Sequence, residues 1–156
     1  MHRAITVNGV SPTQIVLGLP SYGRVFTCDG DERKRPNQSV TAASFVNCSC
    51  KEKNFHKKSL DAMAVVTMEP ECTTGYDEVT ATPYWDCPYG SNTTHGNNPQ
   101  HQRQQGWYEN VASMTTKMAL MKAWGVPGVG LWSAHGIAQG TPSDVGIWDL
   151  LEAWQK

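Results

Sequence analysis

The sequence predicts an α/β fold built on buried parallel strands, and three stretches carry that expectation. Gln14-Ile15-Val16-Leu17-Gly18-Leu19 is a nearly continuous β-branched and apolar run, ended by Pro20. Continuous rather than alternating hydrophobicity implies burial on both faces, as in a parallel sheet covered by helices. Residues 110–124 put Val111, Met114, Met118 and Met121 on one helical face, the spacing of an amphipathic helix. Val129-Gly130-Leu131-Trp132 is too short for a helix and sits between glycine-rich turns, so it reads as a second buried strand.

Taken in order, residues 1–10 say little beyond the turn signal Asn8-Gly9, with Ser11-Pro12 behind it. The first strand follows over residues 14–19. Pro20-Ser21-Tyr22-Gly23-Arg24 lies at its carboxyl end, where Tyr22 and Arg24 are either site residues or a rim pair closing the strand. From residue 25 to 106 the pattern degrades. Residues 29–35 are a charged, solvated loop, and residues 40–46 fit a short helix or a strand equally well. Residues 51–58 are basic with Glu52 among them and read as a solvated face. Residues 62–66 are apolar and read as core. Residues 76–84, rich in Thr and Val, read as a strand or hairpin. Residues 90–105 are rich in Asn, Gln and His and read as a mobile polar loop.

Order returns at Gly106-Trp107-Tyr108-Glu109. Asn110 is a natural helix N-cap, Gly125 a natural terminator, and Pro127 forbids continuation of the helix. The second strand then ends in a large aromatic followed by Ser133-Ala134-His135-Gly136, which marks the ligand side of an α/β unit. Thr141-Pro142-Ser143-Asp144 starts a last helix with Ile147, Leu150, Leu151 and Trp154 on its apolar face.

A chain of 156 residues with net charge −1 gives no electrostatic case for nucleic acid or an anionic membrane as partner. No apolar run approaches a membrane span, and no signal-peptide core follows Met1-His2-Arg3. The chain nevertheless looks secretory. Its five cysteines, Cys28, Cys48, Cys50, Cys72 and Cys87, all fall between the two best α/β segments, as disulfides stapling an irregular insertion would. A metal site is not expected: Cys48 and Cys50 have the wrong spacing for zinc, and His95 and His101 lack companions. No cofactor is implied. Asn37-Gln38-Ser39, Asn47-Cys48-Ser49 and Asn92-Thr93-Thr94 are N-glycosylation acceptor patterns, so Asn37, Asn47 and Asn92 are candidate sites. Secretory features with an odd cysteine and no leader suggest that sequence is missing upstream.

Residues Ile15 and Val16 through Tyr22-Gly23-Arg24 resemble the seventh-strand motif of glycoside hydrolase family 18, the chitinases and their relatives. Trp107-Tyr108-Glu109-Asn110, Ser113, Lys117 and the run from Gly125 to Trp132 are similar to that family's closing helix and eighth strand. Thr27-Cys28 and the Trp107-Tyr108-Glu109-Asn110 wording are most like its chitobiase members, which are lysosomal exoglycosidases. The resemblance implies an α/β fold that is the C-terminal fragment of a (β/α)8 TIM barrel, strands 7 and 8, with an α+β insertion. Residues 1–156 would be a partial barrel and residues 25–106 the insertion between its last two strands.

The family's catalytic Asp-x-x-Asp-x-Asp-x-Glu motif is absent; Asp29-Gly30-Asp31-Glu32 has the composition without the spacing. The Met-x-Tyr-Asp segment of the family's sixth strand is absent too. In this family the substrate's own acetamido group is the nucleophile and a glutamic acid protonates the leaving oxygen. No catalytic residue is therefore assigned to this chain. The resemblance carries over a sugar platform: Trp132 as the stacking residue, with Tyr22 and Arg24 lining the same cleft. Without the resemblance, Trp132 would read as core. His135 matches no functional position, and a Ser-His-Asp hydrolase would need a Gly-x-Ser-x-Gly elbow that is lacking. The implied function is a chitobiase- or chitinase-like glycosidase segment acting on β-1,4-linked N-acetylglucosamine oligosaccharides, inactive alone, from a lysosomal or secreted parent. The rival is a non-catalytic chitin- or glycan-binding protein of the same fold.

Overall fold

The computed structural model describes residues 2–28, 55–66, 70–87, 103–137 and 140–154. Asn37, Asn47, Asn92, the charged stretch at 29–35 and the ambiguous one at 40–46 lie outside them. Helix α1 (His2–Thr6) ends at Gly9, whose positive φ of 68° suits glycine. A 3₁₀ turn at Pro12–Gln14 then feeds strand β1 (Val16–Pro20). The strand thus starts two residues later than the apolar run predicts, because Pro12 sets a turn first. Strand β2 (Tyr22–Thr27) follows after Ser21 alone. Next come β3 (Phe55–Ser59), α2 (Leu60–Val66), and a hairpin of β4 (Thr73–Asp77) with β5 (Thr82–Cys87). The chain closes with β6 (Gln104–Trp107), α3 (Val111–Ala123), β7 (Gly128–Trp132) and α4 (Pro142–Trp154).

The two strands read from the sequence are neighbours and parallel. Leu17 pairs with Val129, Gly18 with Gly130, Leu19 with Leu131 and Pro20 with Trp132. Alternation along a strand gives the pair two unlike faces. Leu17, Leu19, Val129 and Leu131 share one, packed into a core with Met114, Met118, Ile137 and Ile147, and with Leu150, Leu151 and Trp154. The other face carries Val16, Gly18 and Pro20 beside Gly128, Gly130 and Trp132, and Val16 is 67% exposed. The expectation of burial on both faces is therefore corrected. Among the described residues, helices cover one face only, and three glycines leave the second with little side chain to bury.

Helix α3 is closed at its start by a capping box: the Ser113 amide donates to the Asn110 side chain at 2.9 Å, and the Asn110 amide to the Ser113 hydroxyl at 2.9 Å. At its end Gly125 has φ 72°, and the Val126 amide reaches back to the Met121 carbonyl at 3.1 Å. Met114, Met118 and Met121 are buried as their spacing predicts; Val111 is half out. Val111 instead meets α4 at Gly146, where an added Cβ would lie 2.7 Å from its Cγ2. The Trp154 indole donates to the Pro127 carbonyl at 3.3 Å, tying the end of α4 to the entry of β7.

The remaining strands form a five-stranded antiparallel sheet in the order β3-β2-β6-β5-β4. Its own core holds Val25, Met63, Trp85 and Cys87. The apolar run at 62–66 is helical, with Met63 buried and Val65 facing out. Residues 76–84, read as a strand or a hairpin, fall within the β4–β5 hairpin. The reading of 90–105 as a mobile loop fails at its end, since Gln104 and Gln105 are buried in β6, the middle strand. Their polarity hides this, and it is tolerated because the Gln105 amide is bonded at both ends. It donates to Asp86 at 2.7 Å and accepts from the Trp107 indole at 3.3 Å. Of residues 51–58, expected as a solvated basic face, 51–54 lie outside the described residues; the rest belong to the edge strand β3, with His56 and Lys57 exposed and Lys58 partly buried. Burial lowers the Lys58 pKa.

Cys72 and Cys87 are joined by a disulfide that staples the open end of the hairpin, and Cys28 is disulfide-bonded as well. The chain-entropy model assigns about 3 kcal/mol to a loop of the Cys72–Cys87 size. Replacing both cysteines by alanine should lower the unfolding free energy by roughly 2–4 kcal/mol in a denaturant titration. A change below half a kcal/mol would show that the hairpin is held by its strand pairing alone.

Candidate functional site

The site forms where β1 and β7 end. Beyond the last register pair, the Ser21 amide donates to the Trp132 carbonyl at 3.2 Å. The Ser21 hydroxyl donates to the Ser133 carbonyl, and Ser21 is fully buried. Gly136 closes over this clamp so tightly that an added Cβ would lie 2.1 Å from the Ser21 carbonyl oxygen. The Trp132–Ser133 peptide bond is cis. The Trp132 backbone is tied to β1 by its register pairing and the Ser21 amide, while its side chain is 73% exposed. Among the described residues nothing packs over this large aromatic at the carboxyl end of the parallel pair.

Tyr22 starts β2, two residues beyond Pro20, and so lies within about 7 Å of the Trp132 register partner along the chain. Its ring is half-buried, with the Lys57 ammonium 4.8 Å from the ring centroid. Arg24 is exposed on the same face of β2, two residues further on. Across the sheet Arg24 is flanked by Lys57 on β3 and Trp107 on β6, and Trp107 is paired in turn with Tyr84. The Tyr84 and Trp107 rings stack with centroids 4.7 Å apart. Tyr22 thus lies two residues past the register partner of Trp132, and Arg24 two residues further along β2.

Two partly buried ionic clusters were not read from the sequence. Glu109 is buried; it accepts from the Ser113 hydroxyl at 2.6 Å and from the Lys117 ammonium, which also donates to the Thr82 hydroxyl at 3.0 Å. This joins the first turns of α3 to the start of β5. The four-residue steps Glu109, Ser113 and Lys117 are a visible helical period, the signal that was available. The second cluster holds Asp86 between Arg103, whose Nε donates at 2.8 Å, and the Gln105 amide. No sequence signal points to it, since its members come from separate strands. Tyr108 sits between the two cores, and burial raises its hydroxyl pKa.

Both carboxylates are engaged by cations in these clusters. Among the described residues no group of three or more His, Cys, Asp or Glu is placed to hold a metal ion. No described helix is long and apolar enough to cross a membrane.

The sequence profile of Glycosyl hydrolases family 18 matches residues 1–136. The chain belongs to that family. Di-N-acetylchitobiase of Mus musculus is 24% identical over 127 residues, which cover 81% of this chain and 32% of the mouse protein. The chain therefore spans about a third of the length of the curated family 18 relatives it matches. Among solved structures, the chitinase RmChi1 of Rhizomucor miehei superposes with a TM-score of 0.62 at 17% identity, over 95% of this chain and 40% of that one. Human YKL-39, a pseudo-chitinase with retained chitooligosaccharide binding, gives a TM-score of 0.59 at 17% identity, over 94% and 36%. The mixed α/β fold is thus similar to part of the family 18 chitinases.

Two substitutions probe this geometry. Gly136→Ala must push Ser21 away and should cost roughly 1–3 kcal/mol, the usual range for overpacking, measured by chemical denaturation. Lys117→Met leaves Glu109 buried without its cation. It should cost up to about 3 kcal/mol, less than for a fully buried pair because Lys117 is partly exposed, while Lys117→Met with Glu109→Gln recovers most of the loss. A double variant no better than the single one would show that packing, not charge, is what Lys117 supplies.

Proposed function

We propose that this chain supplies strands 7 and 8 of a family 18 TIM barrel, with residues 25–106 as the α+β insertion between them. Its parent is a chitobiase- or chitinase-like glycosidase acting on β-1,4-linked N-acetylglucosamine oligosaccharides. The parent is lysosomal or secreted and glycosylated at one or more of Asn37, Asn47 and Asn92. Nucleic acid and membranes are not its partners. The exposed Trp132 side chain carries this reading. Burial is the favoured state of an indole, and one left in solvent on a clamped backbone at the ligand end of a strand pair is suited to stack on the apolar face of a sugar.

On this reading Trp132 binds the sugar beside the scissile bond, Tyr22 offers a hydroxyl and Arg24 a fork of N–H donors to the ring substituents. The substrate's acetamido oxygen attacks the anomeric carbon while a glutamic acid protonates the departing oxygen. That acid belongs to a motif this chain lacks. Loss of a general acid costs about 10²–10⁴-fold, and the groups orienting the acetamido are lost with it. The likeness to YKL-39 supports one alternative, a non-catalytic glycan-binding protein of the same fold.

The purified 156-residue chain should not turn over a chromogenic chitobioside. It should bind chitooligosaccharides weakly, as read by tryptophan fluorescence, and Trp132→Ala should abolish that binding. Turnover that survives purification and disappears in Glu109→Gln would place the acid in this chain and overturn the assignment. Tight binding by the isolated chain, without turnover, would favour the binding protein over the glycosidase segment.

A further inference from the structure

The turn signal Asn8-Gly9 is the one Asn-Gly pair in the sequence, and neither of the two cores contains it. Both residues are exposed, and Gly9 lies at φ 68°, where an added Cβ would meet nothing within 4 Å. The amides on either side of Gly9 are fixed. That of Asn8 donates to the Arg3 carbonyl at 3.1 Å and that of Val10 to the Ala4 carbonyl at 3.0 Å. Between them the Gly9 amide donates to no described group, and the Asn8 side chain bonds to none either. A backbone donor left out of a turn's hydrogen bonds must be satisfied by water, so this N–H faces solvent together with the side chain before it.

We propose that Asn8 is a site of spontaneous deamidation, and that its product opens the turn between α1 and β1. Asparagine is among the thermolabile side chains. The Gly9 amide nitrogen gives up its proton and bonds to the side-chain carbonyl carbon of Asn8. The bond from that carbon to the side-chain nitrogen breaks, and ammonia leaves with the proton, closing a cyclic imide. Water then opens the ring. Opening at the side-chain carbonyl leaves aspartate; opening at the main-chain carbonyl leaves isoaspartate, with the chain running through the side-chain carbon. Ammonia is lost and water gained, with no change of oxidation state. Glycine suits the attack because no Cβ shields its nitrogen. A hydrogen bond from that amide would oppose it, since the proton must leave, and no described group accepts one. Isoaspartate adds a main-chain atom just before Gly9, inside the short loop that the Val10-to-Ala4 hydrogen bond closes.

The experiment ages the full chain at neutral and at mildly alkaline pH, once folded and once in denaturant. Residue 8 is followed by peptide mass spectrometry with fragmentation that separates aspartate from isoaspartate. Both products should accumulate there, at a rate in the folded chain within several-fold of that in denaturant, and rising in proportion to hydroxide. Asn8→Gln, which would have to close a larger ring, should stay unmodified over the same period. In the aged folded chain the Val10 amide should exchange its hydrogen faster than in fresh protein, the sign of a locally opened turn. Conversion in denaturant with none in the folded chain overturns the proposal, because the fold would then protect Asn8. Aspartate without isoaspartate, equal conversion in Asn8→Gln, or no conversion in either state overturns the imide route. Unchanged Val10 exchange in chain that carries isoaspartate overturns the opening of the turn.

Discussion

Parallel pairing of β1 with β7 is the constraint on which the rest of the structure depends. It joins residues more than a hundred positions apart in sequence, and loop-closure entropy opposes such a contact. The register holds because each strand presents a matching pair of apolar residues to the helices, Leu17 with Leu19 and Val129 with Leu131. A slip of one residue would turn these outward and bring Gly18 and Gly130 to the core. The same register puts Trp132 beside Pro20, and the Ser21 clamp then extends the pairing by one step. Both the exposure of the tryptophan and the starting point of β2 follow from it.

The excursion between the two strands folds as a sheet with its own core, tied to the strand pair by a few contacts of different kinds. Helix α2 contributes Leu60 to one core and Met63 to the other, three residues apart on one face. Tyr108 packs against both, and its amide donates to the Pro83 carbonyl at 3.2 Å. The Glu109–Lys117–Thr82 cluster adds a charged link between α3 and β5. The five-stranded sheet is thereby oriented relative to the strand ends, and its strand β2 begins at Tyr22.

The apolar content of the strand pair exceeds what the described residues bury. Val16 is largely exposed, and a groove of about 480 Å³ between β7 and α4 is lined by Val129, Leu131, Leu151, Trp148 and Trp154. Surfaces of this kind normally lie against further protein. They accord with relatives about three times as long as the chain and with a proposed function that needs groups from other strands.

Much of the framework was legible in the sequence because its signals are local. The α3 capping box lies within four residues, the methionine stripe repeats at the helical period, and the two apolar runs announce strands. The hairpin of β4 and β5 was legible for the same reason. Strand β6 was not, because two glutamines look like solvated loop until Asp86 and Trp107 arrive to satisfy them. Lys57 read as one of several solvated cations until pairing set it opposite Arg24 and over Tyr22. For Trp132 the sequence determined an aromatic at a strand end and left core and platform both open. Tertiary structure decided that its side chain is exposed among the described residues, because exposure depends on which face the register turns outward and on what lies across from it.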